Sequence, residues 1–539
     1  MNFDLIIRNG VVIDGSGAPS HKADLAVNCG TIEAVGDLSS ARGRQEIEAG
    51  GLVAAPGFID AHSHADFVLP VYQQAESSLV QGITTVVAGQ CGCSLAPLDP
   101  ACREEVEREF NLSLPPEAEL RISWTGFGEY LDIAYRKPLG INLASLVGHG
   151  TIRTAVMGDE NRPPGKGEME KMKGLTAEAM ESGSFGLSSG LIYAPGVFSS
   201  TGELVEMAKV AARYGRIYAS HIRGESGTLM QAVEEAVNIG ERAGLPTHIA
   251  HHKAAGRSNW GRSADTLALM EQARSRGVDL TLDQYPYLAG ATSLSSLLPP
   301  WAREGGNDRL LERLRSAGTR RRLREEIASS PDDWENFARE LGWENIVISL
   351  VRTEKNKRFE GCTIQEITAL RGGGDEYDTL FDLLLEEDGM PGMLIFSMHE
   401  DDVRRIMRHP LHMVGTDASS IALSGPFSFG TPHPRHFGTC PRILGRYVRE
   451  EKVLTLEEAV HKMTLRPAER YGIDRRGLLK PGMFADVTIF NPATVIDRAT
   501  YREPHQAPEG IEYVFVNGVM AVEKGACTDS LAGKVLRKK

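Results

Sequence analysis

The chain has 539 residues, 41% of them hydrophobic and 24% charged, an ordinary globular balance that excludes a disordered or fibrous protein. Its formal net charge of −13 argues against nonspecific nucleic-acid binding, although one local cation is enough to hold an anionic substrate. The seven cysteines are odd in number and without framework spacing, Met1–Asp4 opens no signal peptide, and no apolar run reaches the ~20 residues of a membrane span; a cytoplasmic protein with no membrane partner is expected.

Short strands are predicted at 4–8, 11–14, 23–28, 31–35 and 52–54, several of them separated by Gly and Asn as in hairpins. The pattern returns at 485–491, 511–516 and 519–522, so both ends of the chain read as small β-sheet. Between them strands alternate with helices, which predicts parallel β/α architecture. Eight candidate strands end near His62–His64, Gln90–Cys91, Gly148–His149, Ser188, His221, His251, Tyr285 and Asp417. In a (β/α)8 barrel the chemistry lies at the C-terminal ends of the strands, and most of these ends carry His, Cys or Asp. The stretch from Tyr287 to His412 is too long for one crossover and is read as an insertion, with helices at 307–329 and 331–341 and strands at 345–351 and 393–396.

The stretch Gly57–Asp66 reads as a buried strand that ends in metal ligands. His62 and His64 are two apart, so in an extended strand both imidazoles face one side and can reach one ion. Cys91 follows the apolar run Ile83–Ala88 and is the candidate ligand of Cys91-Gly92-Cys93, with Cys93 read as structural. His221 and His251 end the next apolar strands; His248 lies on the other face and reads as a structural histidine. Asp417 closes the run Met413–Thr416, where a carboxylate is costly unless paired or metal-bound. The stretch Gly186-Leu187-Ser188-Ser189-Gly190 fits the Gly-x-Ser-x-Gly nucleophile elbow, but that motif needs a helix immediately after, and Ala194-Pro195-Gly196 spells a turn.

With these residues placed, the sequence resembles the N-acyl-D-amino-acid deacylases (D-aminoacylases) of the amidohydrolase superfamily. The resemblance runs through Gly57–Asp66, Gly82–Val87 into Cys91, Gly148-His149-Gly150, Gly186–Tyr193, Ser220–Arg223 and His251-His252-Lys253. It continues in Tyr285-Pro286-Tyr287, Gly415-Thr416-Asp417, His433-Pro434-Arg435 and Gly477–Asp486. It implies a metal-centred (β/α)8 barrel over 56–469, with an insertion at about 288–411, and a small β-sandwich built from 1–55 and 470–539. Many two-metal relatives use a carboxylated Lys on the fourth strand, and Ser184–Ser188 has none; a Cys after the second strand takes a ligand role instead.

By this resemblance Cys91, His221 and His251 hold one tight zinc, while His62, His64 and Asp417 form a second site, weak or empty. Asp417 is the expected proton carrier. His149 is a candidate oxyanion contact, with a structural role as the alternative. Arg435, Tyr287 and Ser293 are expected on the substrate α-carboxylate, with Tyr193, Arg223 and Lys253 as further substrate contacts. The implied reaction is hydrolysis of a small N-acyl-D-amino acid, with hydrophobic D-amino acids favoured on the strength of the apolar run Leu294–Trp301. Hydrolysis of a cyclic amide or dipeptide, and an inactive binding barrel, are the competing readings. The sequence does not set the oligomeric state.

Overall fold

The computed structural model describes residues 2–115, 117–329 and 334–539. Eight strands form the centre: β1 (Phe58–Asp60), β2 (Ile83–Ala88), β3 (Asn142–Ser145, resumed as Val147–Gly148), β4 (Gly186–Gly190), β5 (Ile217–His221), β6 (Thr247–Ile249), β7 (Leu280–Gln284) and β8 (His412–Val414). Each pairs in parallel with the next. The ring closes where Ala61 N–H donates to Val414 O at 3.1 Å and Asp417 N–H to His62 O at 2.8 Å. The result is a (β/α)8 barrel in which all strand C-termini point to one mouth.

The helices around it follow from apolar spacing. Leu229–Ala243 buries Leu229, Ala232, Val233, Ala236, Val237 and Gly240, one face at helical period, and Gly244 ends it at φ 68°. Ser200 starts Thr201–Arg213 by accepting a hydrogen bond from Glu203 N–H. No described helix is long and apolar enough to cross a membrane.

The two ends of the chain share one nine-stranded sheet. Asn2–Val12 pairs with His21–Asn28 on one side and with Arg42–Glu48 and Val53–Pro56 on the other. Val53–Pro56 then pairs with Val487–Phe490. The predicted break at Asn9-Gly10 is not a turn: the strand continues, and the register slips between Ile7 and Gly10 with Asn9 at φ 58°. A β-bulge absorbs the residues that a hairpin would have used. Arg42–Glu48 was not foreseen, because only Ile47 of its side chains is buried and the usual apolar alternation is missing.

Between β7 and β8, Ala289–Ser293, Gly392–Phe396 and Ile346–Leu350 make an antiparallel sheet with the middle segment at its centre. The helical stretch expected at 307–329 is two helices, Gly306–Leu314 and Ala317–Ser329. Of the helix expected at 331–341, Phe337–Leu341 is formed, while 331–333 lie outside the described residues. Leu294, Leu297 and Leu298 are fully buried in the core of this insertion. They pack its helices and do not border the barrel mouth, because an apolar run is satisfied first by its own neighbours.

Candidate metal centre and active site

At the barrel mouth His62, Cys91, His251 and Asp417 each bring a ligand atom within 4.8 Å of the others. Cys91 Sγ lies 3.4 Å from His62 Nε2 and 3.4 Å from His251 Nε2. Zinc–sulfur and zinc–nitrogen bonds of about 2.3 and 2.0 Å set tetrahedral ligand atoms about 3.5 Å apart, so the spacing suits one shared ion. Asp417 Oδ1 is 3.5 Å from His62 Nε2 and 3.2 Å from His64 Nε2.

Cys91, His251 and Asp417 share a backbone signature, with φ of 53°, 33° and 51°. Left-handed backbone at non-glycine residues costs on the order of 1–3 kcal/mol each and persists where the surroundings force it. Here the chain turns sharply two or three residues beyond each strand and swings a ligand inward. Gly89 permits the turn at Cys91, since a Cβ there would come within 2.0 Å of Leu146 O.

A second group, His221, Glu225 and His251, also meets within 4.8 Å. Both ring nitrogens of His221 are buried without a hydrogen-bond partner. Such a group is expensive unless a ligand takes its lone pair. Burial holds His221 well below the usual histidine range, in the neutral form that binds metals. Burial, aided by Asp417, pushes the Cys91 thiol well up, so its thiolate needs a cation beside it. Two imidazoles, a sulfur and carboxylates at these distances fit zinc.

Buried carboxylates set the ring orientations. Asp283 Oδ2 contacts His62 Nδ1 at 3.3 Å and His248 Nε2 at 2.6 Å, and its Oδ1 accepts from His251 N–H. Burial opposes the Asp283 charge, yet the His62 and His248 contacts hold the carboxyl well below its ordinary range. Glu225 Oε1 lies 3.1 Å from His251 Nδ1 and 2.6 Å from Lys253 Nζ. His62 and His251 thereby turn Nε2 toward the shared centre. Asp283→Asn is expected to weaken metal binding by about 10–100-fold. Competition against a chromogenic chelator measures this, and wild-type affinity would show that Asp283 serves only the barrel core.

A cavity of about 360 Å³ opens over these groups. Its wall includes His64, Cys91, Tyr193, His221, His251, Lys253, Asp417 and Arg435. Arg435 Nη1 is 2.8 Å from Asp417 Oδ2. Burial raises the Asp417 pKa, but Arg435, then His251 and His64, pull it well below the usual carboxylate range. His62 lies beneath the wall, fully buried.

Four residues expected at the site lie elsewhere. His149 Nε2 meets Glu203 Oε1 at 2.9 Å, and Arg153 joins the same carboxylate, a buried triad outside the cavity wall. Arg223 pairs with Glu235 and donates to Val197 O and Ser199 O, bracing the loop after β4. Tyr287 donates to Pro434 O at 3.4 Å and sits under Arg442. Ser293 caps the turn Leu294–Leu297 and lines a neighbouring cavity. Ser188 Oγ is bound to Gly89 O and Gly92 N–H, and no helix directly follows β4, so the serine motif is structural.

Sequence reasoning missed Glu225, Asp283 and Tyr285. Glu225 and Asp283 follow or sit in strands as lone acids, and only contacts 28 and 221 residues away reveal their tasks. The signal available was a carboxylate within or just beyond an otherwise apolar strand, the same one that marked Asp417.

A parallel eight-stranded barrel with imidazole, thiol and carboxylate groups gathered at its C-terminal mouth defines a metal-dependent hydrolase of the amidohydrolase type. Residues 45–522 match the model of the family described as "Amidohydrolase family", and the chain belongs to it. Within that family it falls among the D-aminoacylases. It is 37% identical over 543 residues to the D-aminoacylase of Alcaligenes xylosoxydans xylosoxydans, covering 99% of this chain and 98% of that one. The N-acyl-D-glutamate deacylase of the same organism is 37% identical, covering 99% and 97%. The crystal structure of N-acyl-D-glutamate deacylase from Bordetella bronchiseptica, complexed with zinc and a phosphonate mimic of the tetrahedral intermediate, superimposes with a TM-score of 0.83 at 35% identity, covering 100% of both chains.

Proposed function

We propose that this chain is a cytoplasmic zinc enzyme that hydrolyses N-acyl-D-amino acids to a carboxylate and a free D-amino acid, favouring hydrophobic D-amino acids. The observation that carries the reading is a cation pair beside the ligand cluster. Arg435 and Lys253 both lie over the Tyr285 ring, at 4.8 and 5.8 Å, and line the cavity that holds Asp417, Cys91 and His251. A substrate α-carboxylate is the anion that an acylated amino acid brings.

The candidate holders of zinc are Cys91, His221 and His251, with His62, His64 and Asp417 for a second ion. Zinc bound there supplies a Lewis acid for the acyl oxygen and lowers the pKa of water. Asp417 takes a proton from the attacking water and passes it to the leaving nitrogen as the C–N bond breaks. Arg435 anchors the α-carboxylate, and Lys253, held by Glu225, supports it. Tyr193, hydrogen-bonded to Thr292 Oγ1 at 3.0 Å, bounds the far wall.

Ile192, Phe337, Met393 and Ile395 supply the apolar part of the wall, which supports a hydrophobic side chain. An acidic side chain placed there would be buried without a partner. Paired N-acetyl-D- and N-acetyl-L-amino acids test the reading, with released amine as the readout. N-acetyl-D-leucine, D-methionine and D-phenylalanine are expected ahead of D-glutamate and D-aspartate in kcat/KM, and the L-series should be inert. Arg435→Ala should depress every substrate by about 10²-fold or more, the scale of a lost charged contact; near-normal turnover would remove it as the anchor.

One observation favours a second reading. Arg303 is buried, donates to Ile192 O at 2.9 Å, and pairs with no carboxylate among the described residues. It lines a cavity of about 200 Å³ that shares Tyr193 with the main one. If Tyr193 swings aside, this cation can meet an acidic side chain. D-Glutamate or D-aspartate would then lead the series, and Arg303→Met would abolish that lead.

A further inference from the structure

Resting on the reading just given, we infer that the chain has a separate apolar subsite for the acyl chain, and that it takes acyl groups longer than acetyl. The site is a second cavity of about 210 Å³ that shares Phe67, Ala291, Ser349, Ser419 and His436 with the main one. Beyond that mixed neck its wall is mainly apolar, with Val68, Leu114, Leu350, Ile421 and Phe429, and Ser113 and His433 as its polar members. No acidic or basic side chain other than histidine lines it among the described residues. Of the two histidines, His433 is buried and His436 half-buried; desolvation holds both below the usual histidine range, with the Arg435 charge acting in the same direction. The cavity therefore suits an uncharged, alkyl group.

Its position selects which end of the substrate enters. The α-carboxylate and the amino-acid side chain are both carried by Cα, on the nitrogen side of the scissile bond. The cations over Tyr285 and the apolar wall of Ile192, Phe337, Met393 and Ile395 serve that side. The second cavity opens between the ligand end and the insertion sheet, whose Ala291 and Ser349 it shares with the main one. Phe67 stacks on His64 with ring centroids 5.5 Å apart, and Ser419 is two residues beyond Asp417. A carbonyl carbon beside Asp417 would direct its own chain past Phe67 into this space.

The test is kcat/KM for N-acetyl-, N-butyryl-, N-hexanoyl- and N-octanoyl-D-leucine, with Ile421→Phe to fill the cavity and Phe429→Ala to enlarge it. Wild type should gain up to about fourfold with each buried methylene from acetyl to hexanoyl. Ile421→Phe should erase that gain and leave the acetyl substrate within about twofold, while Phe429→Ala should move the optimum to a longer chain. If either variant instead reorders D-leucine, D-alanine and D-phenylalanine with the acyl ranking unchanged, the cavity takes the side chain and the inference falls. It falls equally if neither ranking moves. Calorimetry of hexanoate against acetate on the metal-loaded protein reads the subsite without turnover. Hexanoate should bind at least tenfold tighter, and this advantage should vanish in Ile421→Phe. Tight hexanoate binding without hydrolysis of any N-acyl-D-amino acid would retain the subsite and overturn the reaction assigned above; equal binding of the two acids would overturn the subsite whatever the turnover.

Discussion

Asp417→Asn is expected to lower kcat by about 10³-fold or more while leaving the fold and most of the bound metal in place. The expected size follows from general acid–base catalysis, which contributes roughly 10²–10⁴-fold, here used twice in one turnover. An amide keeps an oxygen facing His62 and His64 but cannot accept the water proton. The substitution also leaves Arg435 beside a neutral group in a buried wall, so a modest loss of thermal stability should accompany it. Elemental analysis and thermal melting, read beside kcat, separate the two effects. A rate within about tenfold of wild type, or about 1.4 kcal/mol of barrier, would remove Asp417 from proton transfer.

Removal of the sulfur ligand should be as severe by a different route. In Cys91→Ala the one soft donor that sits 3.4 Å from both His62 and His251 is gone. The variant should retain less than about a tenth of an equivalent of zinc after dialysis, and activity should fall in proportion, since a site short of one of its few ligands loses most of its affinity. No described strand pairing of the barrel passes through the Cys91 side chain, so circular dichroism should match wild type. Chelation of wild-type protein should reproduce the loss, with zinc restoring activity there and not in the variant. Wild-type metal content in Cys91→Ala, His221→Ala and His251→Ala alike would sink the ligand assignment.

The barrel was legible because most strand ends carry His, Cys or Asp. His221 and His251 end apolar runs about one β/α unit apart, and Asp417 joins the series once the insertion after Tyr287 is set aside; this sufficed to order eight strands. The way the ligands group was not legible. Spacing joins His62 to His64, and both meet Asp417 Oδ1, but His62 Nε2 also faces Cys91, the sulfur expected on the other ion, while His64 stacks on Phe67. The strand turns after Asp60, so the two-residue rule for extended chain no longer governs. His149 resembled an active-site residue in sequence because Glu203, its partner, lies 54 residues later. The run Leu294–Trp301 suggested a pocket, but hydrophobicity alone cannot tell a cavity wall from a core, and Leu297 and Leu298 turned inward. The wall itself comes from residues scattered through the insertion, among them Phe337, Met393 and Ile395, that no local pattern connects.

The shared terminal sheet has a consequence for synthesis. Val53–Pro56 hydrogen-bonds to Val487–Phe490, and the strand Asn2–Val12 is tied to that pair through Val53–Pro56. Roughly 430 residues separate the two partners, which at about 5–20 residues per second leaves the first segment waiting on the order of 20–90 s for the second. Until then Val53–Pro56 offers an apolar, unpaired edge, the kind that recruits other nascent chains. Expression at lower temperature or with additional holdase chaperones should therefore raise the soluble yield. Rapid induction should lose protein chiefly as aggregates of incomplete chains that end before the closing strands emerge.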